Sequence, residues 1–403
     1  MKILVLNYEY PPIGGGGGAV CKSLAHALAK RGHHLRVQTS WIKGLESFTE
    51  TTYAEDTEQQ ISKQSMPPGQ SRPGHSRPGH LEVFRSFSFR RKADTCTVWE
   101  MLLFLICNFF PTLKHILTWK PDLIHVHFAV PTGALAWLTG LLTRTPYILT
   151  IHLGDVPGAL PDQTDHLFRF LKPLTIPIWK RARRIVAVSE FVKRLGNEAY
   201  GLPIQTIFNG IAPPRPSEKE PSPNRFTFIS VGRLNEQKNL GFMLELLADL
   251  PQRDWRYQIV GDGPMHAIWK DKAKDLEIEN NVIFRGWLSK EEVFEHIQES
   301  HLLLMPSHAE GLPMVGIQAL FLGCPILGSK IEGLQDLVQD GDQGWLIPLD
   351  QRDMWRERLN LILKKPEQLH RMRELAKKHA ESFHIDYIAE EYDLLFQSVV
   401  SES

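Results

Sequence analysis

The first forty or so residues constrain the fold more than any other stretch of the chain. Ile3 to Leu6 is a short apolar run that leads through Asn7-Tyr-Glu-Tyr-Pro-Pro-Ile13 into five consecutive glycines, Gly14 to Gly18. A helix is predicted over Ala19 to Lys30, with apolar positions at Val20, Leu24, Ala27 and Leu28, closing at Arg31-Gly32. A second strand is predicted over Leu35 to Thr39. Strand, glycine loop, helix and strand in this order open a doubly wound α/β domain. Gly14, Gly16 and Ala19 satisfy the G-x-G-x-x-G/A spacing, but a run of five glycines satisfies many spacings. Val37-Gln-Thr-Ser-Trp41 also lacks the acidic residue that would hold a ribose. A nicotinamide enzyme is therefore disfavoured. Gly14, Gly15 and Gly16 are expected instead to let the backbone approach a bound ligand.

The stretch from Pro306 to Gly328 carries the second strong pattern. His301 to Met305 reads as a buried strand stopping at Pro306, and Pro325 to Gly328 as the next one. Between them lie a polar loop and one helix, with Pro313 suited to the first helical position because it needs no N–H there. The free N–H groups of that helix start favour an anion such as a diphosphate. Glu310 sits before the helix and Gln318 eight positions later, roughly 12 Å apart at most along a helix. Two polar side chains so spaced could hold the ends of a sugar–diphosphate–ribose assembly. An ordinary crossover with a polar loop fits this stretch equally well.

At 403 residues the chain is too long for one ordinary core, so two domains are expected. Lys plus Arg equal Asp plus Glu at 46 each, which gives no support for nucleic-acid binding. Four widely spaced cysteines form no CxxC pair, so neither a disulfide framework nor a zinc ribbon is indicated and a reducing, cytoplasmic compartment is expected. The apolar segment Met101 to Phe110 falls short of the ~20 residues a spanning helix needs and reads as a buried or interfacial helix.

Residues 44–80 are polar and end in a duplicated Ser-Arg-Pro-Gly-His, which predicts a disordered insertion. Pro121 to Phe128 reads as a buried strand with His125 and His127 on one face. Pro146 to Ile151 is another, ending in His152-Leu-Gly-Asp155. A histidine at the carboxyl end of a parallel strand points into the ligand crevice of such a sheet, so His152 is a catalytic candidate. Leu167 to Arg184 reads as a helix with a basic face that suits either an anionic membrane surface or plain solvent. A Pro- and charge-rich linker, 213–224, precedes a second domain beginning with a strand at Phe226 to Val231. Arg233 and Lys238 then flank a loop running into a helix at Leu240, a fork and a point charge suited to phosphate.

Taken together, several motifs resemble the retaining glycosyltransferases of family 4 (glycosyl transferases group 1). They are Tyr-Pro-Pro-x-Gly-Gly, His125-Val-His127, His152-Leu-Gly-Asp155, Val188-Ser189, Asn209-Gly210, Val231-Gly-Arg-Leu-(x3)-Lys238, Gly261-Asp-Gly-Pro264, Glu310-Gly-Leu-Pro313 and Glu332-Gly333. The resemblance covers nearly the whole chain apart from 44–80. It implies a GT-B architecture of two Rossmann-like doubly wound domains facing a cleft. An acceptor-side domain would span 1–212 and a nucleotide-sugar domain 225–382, with a helix over 383–403 crossing back to the first. Arg233 and Lys238 would neutralise the donor diphosphate and Glu310 would contact sugar hydroxyls. The N–H groups after Gly311, over Leu312, Pro313, Met314 and Val315, would hold phosphate oxygens. His152 would sit near the anomeric centre, and Gly14 to Gly16, with Asp155, would line the acceptor or phosphate loop.

The implied reaction moves a hexose-type unit from a nucleotide diphosphate sugar to a glycan or lipid-linked acceptor hydroxyl, with retained configuration, in polysaccharide or glycolipid biosynthesis. The nucleotide sugar is a co-substrate; no cofactor, no metal and no nucleic acid is implied, and peripheral contact with the cytoplasmic membrane face is compatible. Asp340-Gly-Asp342 reads as a surface turn. One departure stands out: the family pattern is Glu-x7-Glu, whereas this chain has Glu310-x7-Gln318. Gln accepts a ribose hydrogen bond without charge assistance, at a cost of about 1–2 kcal/mol in donor affinity. The competing readings are a sugar-nucleotide epimerase or phosphorylase on the same fold, and a non-catalytic sugar-nucleotide-binding protein.

Overall fold

A computed structural model describes residues 1–53, 79–92, 96–158, 172–215 and 219–402. The chain divides into two compact units. The first comprises Met1–Val188, Val192–Gly210 and Ile385–Ser403, and the second Ser189–Phe191 and Ile211–His384.

The first unit is built on eight strands: β1 (Lys2–Leu6), β2 (His34–Trp41), β3 (Phe48–Tyr53), β4 (Gly79–Phe87), β5 (Leu123–His127), β6 (Tyr147–Ile151), β7 (Arg184–Ala187) and β8 (Gln205–Thr206). Their order across the sheet is β3-β4-β2-β1-β5-β6-β7-β8, all parallel except the antiparallel pair β3–β4. Continuous apolar runs such as Ile3-Leu-Val-Leu6 form central strands because helices cover both faces, so every side chain can be buried. The helix Gly16–Lys30 joins β1 to β2, whereas Val98–Trp119 and Ala134–Thr143 join strands that progress the other way across the sheet. Right-handed crossovers therefore place the first helix on one face and the latter two on the opposite face. The helix Ile385–Ser401 packs beside Gly16–Lys30, where Ile388, Tyr392 and Phe396 share a core with Leu24 and Leu28.

Part of the expected insertion is ordered structure. Phe48–Tyr53 forms edge strand β3, registered with β4 from Phe48↔Phe84 to Tyr53↔Gly79. An edge strand can expose most of its side chains, so Thr-rich polarity was compatible with β-structure where β-branched and aromatic residues alternate. The remaining residues of that stretch, 54–78, lie outside the described residues, as do 167–171 of the expected basic helix; residues 172–181 of the latter are helical.

The second unit has six parallel strands: β9 (Phe226–Val231), β10 (Trp255–Val260), β11 (Val282–Gly286), β12 (Leu302–Met305), β13 (Ile326–Ser329) and β14 (Gly344–Ile347). Their order is β11-β10-β9-β12-β13-β14. Its core gathers Phe228, Trp255, Tyr257, Met243, Leu244 and Trp355, all wholly buried. The polar atom of each large side chain is satisfied: Trp355 Nε1 donates to Pro348 O at 3.0 Å and the Tyr257 hydroxyl pairs with Ser230 Oγ at 2.8 Å. The segments bounding this unit meet in a parallel bridge between Ile211 and His384.

Candidate functional site

In an open parallel sheet, ligands bind beyond the carboxyl ends of the strands where the strand order reverses. The second unit reverses between β9 and β12. The loops leaving those two strands are the ones that carry Arg233, Lys238 and Glu310. A short turn, Glu236–Lys238, is clamped to the loop after β12: His308 N donates to Gln237 O at 2.9 Å and Gln237 Nε2 donates to Ala309 O at 2.7 Å. This clamp brings Lys238 Nζ to 2.6 Å from Glu310 Oε1, and Ser307 Oγ donates to the same oxygen at 2.7 Å. Glu310 is buried, Lys238 is partly open and Arg233 is exposed. The lysine thus has a carboxylate partner in place, and it is poised at the rim of the crevice lined by Gly232, Leu234, Met305 and Ser307.

The helix after this loop spans Met314–Phe321, with Pro313 as its N-cap at φ −71° and ψ 120°. Proline stands one position earlier than expected; its ring fixes φ, while the extended ψ turns the chain into the helix. The N–H groups of Met314 and Val315 open the helix without intrahelical acceptors, at the positive end of its dipole. Leu312 is buried and anchors the loop, whereas Gly311, Met314, Val315 and Gln318 are half-buried. Gly333, in the turn of helix Glu332–Gln335, lies directly against the loop: a Cβ there would sit 1.9 Å from Glu310 O. Asp340 to Gly344 is a turn whose Asp340 Oδ1 accepts from Leu346 N at 2.9 Å.

The first unit reverses between β1 and β5, and the remaining candidates gather there. Asp155 accepts from Ala129 N at 2.7 Å and from His152 N at 2.8 Å, tying the end of β6 to the end of β5. His152 Nε2 lies 3.3 Å from His127 Nδ1, and its ring stacks on Phe128 at 4.3 Å. Phe128 holds a left-handed backbone, φ 72°, an uncommon state for a bulky residue and one that clusters at functional sites. Sequence reasoning passed over Phe128, because nothing in its neighbours signals a positive φ.

The glycines divide by role. Gly14 has φ +90°, and a Cβ on Gly17 would sit 2.6 Å from the Phe128 ring, so these two are required by the protein's own packing. Gly15 has nothing within 4 Å of a would-be Cβ, and Gly16 begins the helix. Close approach of a ligand is therefore a role available to Gly15, not to the run as a whole. Gly15 N also lies 3.4 Å from Glu9 Oε2, whose other oxygen is 3.6 Å from Arg90 Nη2.

Burial dominates the electrostatics of this cluster. It holds His152 down at about 4 and His125 at about 3, and pushes His127 well below the usual range, so all three are neutral near pH 7. Burial raises Asp155 to about 7 against the opposing effect of its backbone N–H partners. Between pH 6.5 and 4.5 the three histidines become protonated in the unfolded chain but stay neutral in the fold, where Asp155 has already taken most of its proton above this window, so the unfolded chain binds more protons. Stability from these groups therefore falls as pH drops through that window. Thermal unfolding followed by circular dichroism is expected to show a lower midpoint at pH 4.5 than at pH 6.5; a midpoint that rises on acidification would contradict this protonation pattern.

Comparison with known proteins bears on the family and the fold. Residues 14–215 match Glycosyltransferase Family 4, and residues 215–379 match Glycosyl transferases group 1. N-acetyl-alpha-D-glucosaminyl L-malate synthase of Bacillus anthracis is 26% identical over 302 residues, covering 70% of this chain and 76% of that protein. Sucrose-phosphate synthase from Thermosynechococcus elongatus superposes with a TM-score of 0.79 at 17% identity, covering both chains in full. Anabaena HepE, solved in complex with UDP-glucose, superposes with a TM-score of 0.70 at 16% identity over the whole of both chains. These two structures share the fold, two parallel-sheet α/β units of the GT-B type. With motifs, topology and family matches in agreement over most of its length, the chain belongs to glycosyltransferase family 4.

Proposed function

We propose that this glycosyltransferase moves a hexose-type sugar from a nucleotide diphosphate sugar to a hydroxyl of a glycan or lipid-linked acceptor, with retention at the anomeric carbon. The observation that carries this reading is the Lys238–Glu310–Ser307 cluster at the switch point of the second unit, beside the helix start at Met314. The UDP-glucose bound by HepE supports a nucleotide sugar as donor.

In this scheme the donor diphosphate takes over the Lys238 ammonium and meets Arg233 and the N–H groups of Met314 and Val315. The bond between the anomeric carbon and the diphosphate oxygen breaks, and the acceptor oxygen bonds to the same carbon on the same face. The acceptor proton passes to the departing phosphate oxygen. Positive groups fixed around the leaving group stabilise the charge that develops there. Glu310, held by Ser307, orients the sugar hydroxyls. His152, neutral under these conditions, offers a hydrogen bond to a reacting hydroxyl, and Gly15 provides open backbone for the acceptor. The polysaccharide or glycolipid product would be made on the cytoplasmic side of the membrane.

Incubation with a panel of nucleotide sugars tests the reading. Slow release of the nucleoside diphosphate is the expected result. An epimerised sugar nucleotide, or binding of every donor without turnover, would overturn it. A companion prediction concerns the departure at Gln318. Gln318→Glu is expected to tighten nucleotide-sugar binding roughly tenfold by restoring a charged acceptor for ribose hydroxyls. Calorimetric titration decides this, and an unchanged Kd would remove Gln318 from the donor contact.

A further inference from the structure

The helix Val98–Trp119 is long and apolar enough to cross a membrane, and only 22% of its most apolar window is buried. It does not have the surroundings of a spanning helix. It is the crossover between β4 and β5, and it buries Phe104, Asn108, Thr112 and Ile116 at four-residue spacing. Asn108 fixes it to the sheet, accepting from Gln38 Nε2 at 2.7 Å. The opposite side carries Trp99, Leu102, Ile106, Phe110 and Leu117, a single line down the helix roughly 27 Å long. Trp99 is 72% exposed, Phe110 74%, and Ile106 and Leu117 59% each. An apolar line of this length on the outside of a folded unit marks an interaction surface.

Its surroundings identify the partner. The helix Ala134–Thr143 packs alongside and exposes Leu141 and Leu142. Residues 172–181 follow, linked by the bond from Arg181 Nη2 to Gly140 O, and expose Leu174. Over residues 98–119, 134–144 and 172–184 there are seven lysines and arginines, one, one and five respectively, against one acidic residue, Glu100; Arg184 among them is ion-paired with Glu402 at 2.5 Å, which leaves six. The carboxylate of Glu100 is engaged in the capping box with Thr97 and accepts from Arg91 N at 3.0 Å. Phe110 and Leu117 also line an apolar groove with Phe84, and Arg85 and Lys114 lie in the same groove. Apolar side chains in a line, with cations in excess over acids on the neighbouring segments, match the apolar interior and anionic headgroups of a lipid surface.

We infer that this helical layer of the first unit docks on an anionic phospholipid bilayer, with Val98–Trp119 lying in the plane of the interface. The inference rests on side chains of the first unit and not on the donor groups, and it deepens the reading above only in favouring a lipid-linked acceptor. The full chain is expected to co-sediment with vesicles of phosphatidylglycerol and phosphatidylcholine, and to lose binding in high salt or on phosphatidylcholine alone. The double variant Trp99→Ser/Phe110→Ser should bind those vesicles at least roughly tenfold more weakly while keeping its thermal midpoint and its donor hydrolysis. Lys114→Glu should weaken binding without altering either. Three results would overturn the inference: no sedimentation of the unaltered chain with anionic vesicles, sedimentation of the double variant equal to that of the unaltered chain, or a dimer in light scattering that the double variant turns into monomers. Loss of donor hydrolysis with vesicle binding intact would instead count against the transfer chemistry alone.

Discussion

Lys238→Ala is expected to lower kcat/KM for glycosyl transfer by about 10²–10³-fold, corresponding to ~3–4 kcal/mol of lost leaving-group stabilisation. The lysine ammonium lies 2.6 Å from the Glu310 carboxylate before donor arrives, so its position is fixed by the protein rather than recruited by the ligand. Removing it also leaves Glu310, whose side chain is 8% exposed, held by the hydrogen bond from Ser307 Oγ. A buried carboxylate left with a neutral hydrogen-bond partner in place of its cation is destabilising, so a drop in thermal midpoint should accompany the kinetic loss. Lys238→Arg keeps the charge and should recover part of the rate but not all of it, because a planar fork does not occupy the place of an ammonium. Steady-state rates of nucleoside diphosphate release measure all three proteins. A normal rate for the alanine variant would show that the diphosphate binds elsewhere.

Gly333→Ala should be nearly as damaging, although it lies outside the groups that touch donor. A methyl group there would sit 1.9 Å from Glu310 O, 2.6 Å from Glu310 C and 2.9 Å from Gly311 O. All three are backbone atoms, so no side-chain rotation relieves the clash. The loop must move away, and a displacement of about 1 Å at reacting groups can cost 10²-fold in rate. Helix propensity predicts the opposite sign, since alanine in a helix is favoured over glycine by about 1 kcal/mol. Donor titration and turnover of the variant therefore separate the two. Unchanged affinity with a raised thermal midpoint would mean that the loop tolerates displacement.

The parts of this molecule that could be read from its residues are those governed by local pattern. Apolar runs such as Leu302–Met305 and Tyr147–Ile151 had to be buried parallel strands, and the residues just after them had to lie at the carboxyl end of a sheet. That logic located His152, Lys238 and Glu310 without coordinates. It could not reveal that Lys238 and Glu310, 72 positions apart, form a pair, because the pairing is made by the clamp between Gln237 and the loop at His308–Ala309. Nor could it separate Gly17, which makes room for Phe128, from Gly15, which faces open space. Strand β3 was missed for a different reason. Phe48-Thr-Glu-Thr-Thr-Tyr53 buries almost nothing, and its order comes from hydrogen bonds to β4. Composition registers burial far better than it registers backbone pairing at a sheet edge.

The bridge between Ile211 and His384 has a consequence for the order in which the polypeptide matures. Everything between those residues forms the second unit, yet Ile385, Ile388, Tyr392 and Phe396 fill the interior of the first. On a translating ribosome the later-made unit can close while the earlier-made one still lacks a wall. Nascent chains stalled before residue 385 should leave Leu24 and Leu28 open to a protease or a chaperone, until the last helix emerges and seals them.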